Sequence, residues 1–219
     1  MFIGHFGVGF GAKAVKPTIS LGTLFLASQF IDLLWPTFLL LGIEQVKIVP
    51  GITTVTPLDF THYPYSHSLL MVCVWGVLVG GIYWLVRKSR GGAILLAACV
   101  VSHWVLDLIV HRPDLPLSPA ESTFVGFDLW NSIPGTVIVE GLIFALGVYL
   151  YTRVTAARDR VGSIGFWSLV GFLVLIYIGN LTGPPPSNTT AIAWVGQAQW
   201  LLVIWAYWID RHRVARAGG

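Results

Sequence analysis

Six apolar runs, each about as long as a helix that crosses a bilayer, dominate this chain. They cover roughly residues 20–43, 66–87, 92–111, 134–152, 163–181 and 191–209. A helix needs about 20 residues to cross the hydrocarbon core. A seventh stretch, 2–15, contains Gly4, Gly7, Gly9 and Gly11 and is too short to span. It reads as a half-helix entering from one side. Charged residues make up 11% of the chain, against about 25% in soluble domains, and mean hydropathy is +0.76. The expected fold is an all-α integral membrane bundle of about six transmembrane helices with a short amino-terminal half-helix. It forms a single transmembrane domain over 1–219.

Lys and Arg alternate between loops. Eleven of the thirteen fall before the first run, between the second and third, between the fourth and fifth, or after the sixth, leaving Lys47 and Arg112 on the other side. Loops rich in Lys and Arg stay in the cytoplasm. The expectation is therefore a multi-pass protein of the bacterial cytoplasmic (inner) membrane with both termini cytoplasmic. The outer loops hold Glu44, Asp59, Asp114, Glu121 and Asp128 and few cations. No basic stripe points to nucleic acid as a partner. Cys73 and Cys99 lie inside apolar runs and read as buried thiols. Paired interrupted helices, the mark of inverted-repeat transporters, are not evident.

Ionisable groups in lipid cost roughly 2.5–3.5 kcal/mol on insertion scales and are functional suspects. Here they gather in the outer halves of the spans. Asp32 lies roughly 16 Å inward from the outer end of the first run, His103 roughly 12 Å and Asp107 roughly 6 Å along the third, and Glu140 roughly 9 Å along the fourth. His103, Asp107 and His111 are spaced i, i+4, i+8 and share one helical face. A His and a carboxylate one turn apart bind one metal ion, or the carboxylate orients the imidazole. His62 and His67 flank the start of the second run, where Ser66 is placed to cap the helix. His5 on the half-helix and Asp32 on the first run reach similar depths near the midplane. Mixed His/Asp sets suit Zn²⁺, and also Mn²⁺ or Fe²⁺.

This order of residues resembles the YdjM-like bacterial inner-membrane metal-dependent hydrolases. The elements that carry it are Gly4-His5-Phe6, Phe30-Ile31-Asp32-Leu33, His62-Tyr-Pro-Tyr-Ser-His67-Ser68 and His103-Trp-Val-Leu-Asp107. They cover the first half of the chain. Asp32 lacks the neighbouring Asp of that family's pattern, Tyr63 stands for its Arg, and Ser66 for its Thr. The order is more distantly similar to helical zinc-dependent phospholipase C. The resemblance implies a hydrolase, with His5, Asp32, His67, His103 and Asp107 around a divalent metal, most simply zinc. His62, His111 and Glu140 are then candidates for proton transfer or for orienting the ligands. The expected substrate is a lipid or lipid-linked (phospho)ester, taken from the membrane. The alternative is a metal-ion or proton transporter using the same cluster, since His and Asp chains also mark ion pathways.

Overall fold

A computed structural model describes residues 1–120 and 123–216; Glu121 lies outside them. The chain opens with α1 (Ile3–Val15), followed by α2 (Leu21–Ser28) and α3 (Phe30–Leu40). After the strands β1 (Gln45–Ile48) and β2 (Leu58–His62) come the single turn α4 (Pro64–His67), α5 (Leu69–Arg87) and α6 (Arg90–Val110). The strands β3 (Leu115–Pro116) and β4 (Phe124–Val125) precede α7 (Ile133–Val154). The rest comprises β5 (Thr155–Ala157), α8 (Arg160–Thr182), α9 (Thr189–Gln197), α10 (Gln199–Arg211) and β6 (Arg213–Ala215). The strands form three antiparallel pairs: β1–β2 and β3–β4 within loops, and β5–β6 joining the α7–α8 loop to the segment after α10.

Among the described residues, five helical segments are long and apolar enough to cross a membrane, with α9 and α10 counting as one. There are six if the bent pair α2–α3 is one span. This is an all-α membrane bundle. Only 17–39% of each span is buried within the protein. Side chains such as Val77, Ile82, Ile94, Leu142 and Leu201 point outward, and lipid covers what neighbouring helices do not.

Polar side chains set the helix starts. Ser68, Ser89, Ser132, Asp159 and Asn188 each accept a backbone N–H from the first turn of α5, α6, α7, α8 and α9. The expected cap at Ser66 is corrected to Ser68. Ser66 is buried two residues earlier and engaged elsewhere. The first span also departs from expectation. It breaks at Gln29, and its halves meet at 56°.

α1 is the centre of the bundle rather than an appendage. Ile3, His5, Phe6, Phe10 and Lys13 are all buried. Glycine permits this. A Cβ on Gly147 of α7 would stand 2.0 Å from the Gly7 carbonyl oxygen, and one on Gly7 would stand 2.7 Å from that of Ile143. Small residues let helix backbones approach closely in membranes, where dispersion replaces the hydrophobic drive. Below this contact Phe10 sits edge-on to Phe25, Tyr151 and Phe166. Lys13, expected in a basic loop, is instead buried. Its Nζ donates to Asp210 Oδ1 and to the Ile19 carbonyl, each at 2.8 Å, and so ties α1 to α10.

Candidate metal centre

Four segments converge at the end of α1 nearest its amino-terminus. α6 supplies His103 and Asp107, α3 supplies Asp32, α4 supplies His67 and α1 supplies His5. These five, singled out in the sequence, form two groups of metal-ligand type that share His103: His5, His103 and Asp107; and Asp32, His67 and His103. All are buried except Asp32, whose side chain is 22% exposed.

Asp32 Oδ1 stands 3.6 Å from His67 Nε2 and 3.5 Å from His103 Nε2, and Asp107 Oδ2 stands 3.9 and 3.3 Å from the same two nitrogens. Ligand atoms around a tetrahedral ion with bonds of about 2.0–2.1 Å lie about 3.3–3.4 Å apart. The four nitrogen–oxygen distances are thus close to the spacing between neighbouring ligands of one ion. His103 Nε2 is buried without a hydrogen-bond partner. Such an atom costs about 1–3 kcal/mol unless something engages it, and a cation between these four atoms would.

Both imidazoles are held by their other nitrogen. His103 Nδ1 is 2.9 Å from the Ser28 carbonyl oxygen. A carbonyl can only accept, so Nδ1 carries a proton, and in the neutral imidazole Nε2 presents a lone pair. The break at Gln29 ends α2 at Ser28, leaving that carbonyl at the helix end, where orphan acceptors occur. His67 is set through a relay. Ser66 Oγ donates to Glu44 Oε2 at 2.6 Å and accepts from His67 Nδ1 at 2.7 Å, which again leaves Nε2 free. Glu44 Oε1 accepts the backbone N–H of Tyr65 and Ser66 at 2.8 Å each. The carboxylate therefore fixes the whole α4 turn. Partners of this kind orient metal-binding histidines.

Asp107 divides its oxygens. Oδ2 faces His67 and His103, while Oδ1 lies 3.1 Å from His5 Nε2 and 2.6 Å from the Met1 nitrogen. His5 stacks flat on His103, with ring centres 3.6 Å apart. It therefore backs the cluster through Asp107 and His103.

The remaining candidates separate. Glu140 is buried, and its Oε2 accepts the N–H of Phe2 at 2.8 Å and of Gly4 at 3.3 Å. It thus anchors the start of α1, where a helix favours negative charge. His111 caps α6, its N–H still bonded to the Asp107 carbonyl at 2.8 Å, but its ring does not join the cluster. The backbone turns extended at His111 and leads into the following loop, and the buried ring packs on Trp130, 4.3 Å away. There its Nδ1 meets Asp114 Oδ1 at 2.9 Å. Tyr63 donates to the Asp114 carbonyl at 3.0 Å, and Arg112 bridges Asp114 and Asp59. Burial pushes the His111 imidazole below its ordinary pKa, against the pull of Asp114. Burial, with Asp114 alongside, pushes the Tyr63 hydroxyl up. This network ties β2 and the turn after it to the loop that follows α6. His62 is displaced altogether. It lies exposed at the end of β2, edge-on to Tyr65, because the Pro64 turn carries His67 inward and leaves His62 on the strand.

Sequence reading did not find Glu44, Ser28 or Gln29 as parts of the site. The only signal for Glu44 was an acid in an otherwise apolar and glycine-rich stretch.

Beside the cluster lies a cavity of about 630 Å³, between the 50–58 loop, α8 and α9. Met1, Phe2 and Glu140 form its wall on the cluster side, and no Lys or Arg lines it. Comparisons with family models, with curated proteins and with solved structures give no match.

Proposed function

We propose that this chain is a membrane-bound metal-dependent hydrolase acting on a lipid or lipid-linked ester from the outer side of a bacterial cytoplasmic membrane. The observation that carries the reading is the four-atom arrangement of Asp32, His67, His103 and Asp107 around an unpartnered imidazole nitrogen. The order of these residues, similar to that of the YdjM-like hydrolases, supports it.

A divalent ion held there, zinc by preference for two nitrogens and two oxygens, supplies Lewis-acid polarisation and a nucleophile at neutral pH. The protein's own residues do the rest. Ser28 and the Glu44–Ser66 pair hold the two imidazoles by Nδ1 and turn Nε2 toward the ion. His5 holds the second oxygen of Asp107 by a hydrogen bond. Asp32, partly open, marks the side from which solvent reaches the cluster. Glu140 commits Oε2 to α1 and leaves Oε1, without a hydrogen bond among the described residues, as the atom for proton transfer at the cavity. No Lys or Arg lines that cavity, so it offers a phosphate no cation of its own. Carboxylic esters therefore stand beside phosphoesters as substrates. A lipid is favoured because His103 and Asp107 lie on the span α6 and Asp32 on the bent pair α2–α3.

A second reading, ion or proton transport, gains from the 56° break in the first span, since broken helices form transporter sites. Against it, the buried Lys13–Asp210 pair fills the inner end beneath α1.

Purified protein in micelles, with no gradient, should hydrolyse one of four offered classes: phospholipid, lipid phosphate, chromogenic phosphodiester or carboxylic ester. Asp107→Asn, nearly isosteric, should cut turnover steeply. Ion uptake by sealed vesicles with no hydrolysis of any of the four would overturn the enzyme reading. Reporter fusions at Ala157 and Ser187 test the orientation. The first should read cytoplasmic and the second external.

A further inference from the structure

A second recess lies on the opposite half of the bundle, away from the cluster. It is a groove of about 530 Å³ between α2, α3, α5, α6 and α10. Phe30, Val79, Ile82 and Leu96 form its apolar walls, and Ser20, Thr23, Tyr207 and Arg87 close one end. That end lies where α2 begins and α5 ends, beside the Lys88–Arg90 turn. From Ser20 to Phe30 the groove follows ten residues of α2 and α3, and from Arg87 to Val79 eight residues of α5. At 1.5 Å per residue these are lengths of roughly 12–15 Å. Half of a hydrocarbon core about 30 Å thick is the same depth. The groove thus runs through one leaflet and stops at its floor.

The polar end is complementary to an anion. Arg87 is exposed and makes no ion pair among the described residues. Ser20, Thr23 and Tyr207 form a chain of hydroxyls, at 2.8 and 2.9 Å, that runs along the same rim. Gly91 leaves room for a further cation. A Cβ there would stand 3.4 Å from Lys16 Nζ. No Asp or Glu lines the groove. An apolar slot one leaflet deep, with a free guanidinium and hydroxyl donors at the headgroup level, matches an acyl chain that ends in a phosphate.

We propose that this groove binds an anionic phospholipid from the leaflet beside the basic loops, with one acyl chain in the slot and the phosphate on Arg87. The chain end abuts Phe30, the residue after the Gln29 break and two before Asp32. The site is independent of whatever the metal centre does.

The test uses the full chain in neutral detergent, with phosphatidylglycerol or phosphatidylcholine of identical acyl chains. Lipid retention by native mass spectrometry and the shift in Tm are followed together. Phosphatidylglycerol should be retained in preference and raise Tm more. Arg87→Gln should weaken that preference about fivefold, as expected for one cation near the headgroups, while Arg153→Gln, at the same membrane face but outside the groove, should keep it. Ile82→Trp, filling the slot, should reduce retention of both lipids. Inorganic phosphate alone should give no shift, and His103→Ala should retain lipid like the parent. Equal retention of the two lipids by the parent, or an equal loss in Arg87→Gln and Arg153→Gln, would overturn the proposal. So would a Tm rise with inorganic phosphate alone.

Discussion

His103 Nδ1 donates to the Ser28 carbonyl oxygen across 2.9 Å, at the place where the first span breaks. A helical irregularity and a metal-type imidazole are thus one feature. The break leaves a carbonyl at the helix end, and that carbonyl fixes which imidazole nitrogen faces Asp32 and Asp107.

The equivalent support for His67 is a side-chain relay, which can be removed. Glu44→Gln leaves an amide beside Ser66, one end of which cannot accept, and so loosens the Ser66–His67 orientation. Outer partners of metal histidines are worth about 10–100-fold in metal affinity. Glu44→Gln and Ser66→Ala should each weaken metal binding within that range, measured by competition with a chromogenic chelator, while His62→Ala should leave affinity unchanged. Unaltered affinity in both relay variants would show that the turn holds His67 without them.

The α1–α7 contact predicts a contrast between two glycines. Gly147→Ala places a Cβ 2.0 Å from the Gly7 carbonyl, so α1 must shift. Overpacking of this kind costs about 1–3 kcal/mol. Because α1 carries His5, metal retention should fall together with Tm. Gly171→Ala, with nothing within 4 Å, should leave both unchanged or slightly raise Tm through helix propensity. A Tm for Gly147→Ala equal to that of the parent would mean the helices are not in backbone contact.

His111 gives the outer loops a pH dependence of definite sign. Burial holds its folded-state pKa below the ordinary value of 6.5. The unfolded chain therefore takes up this proton first as pH falls. The stabilisation is present above about pH 6.5 and is lost as pH drops toward the folded value. The Asp128 amide, which donates to the His111 carbonyl at 2.7 Å, should exchange faster with deuterium as pH falls from 7 to 5, after correction for intrinsic rates. His111→Phe should flatten that dependence. The same slope in both proteins would assign the effect to another group.

The spans and the five clustered residues were legible because they rest on local rules. Hydropathy gives the spans, and i, i+4 spacing places His103 and Asp107 on one face. The rise per residue brought His5 and Asp32 to one depth, and the structure brings both to His103. What the sequence hid depends on distant partners. Glu44 acts on a turn about twenty residues away, and Lys13 looks like a loop cation until Asp210, near the other end of the chain, is beside it. His111 follows the periodicity of α6 as its cap, but Asp114, in the loop beyond, takes its ring. The break at Gln29 has no Pro or Gly to announce it. Its only mark is a buried amide whose nitrogen and oxygen both lack partners.

The central claim is that Asp32, His67, His103 and Asp107 hold one divalent ion, and metal content tests it most directly. Protein purified without chelator should carry about one equivalent of zinc, manganese or iron. X-ray absorption should show nitrogen and oxygen ligands, at about 2.0–2.2 Å if the ion is zinc. His103→Ala should lose the metal, while His212→Ala, whose ring pairs with Asp159 on the far side, should keep it. Equal metal content in these two variants, or none in the parent after reconstitution with each metal, would contradict the account.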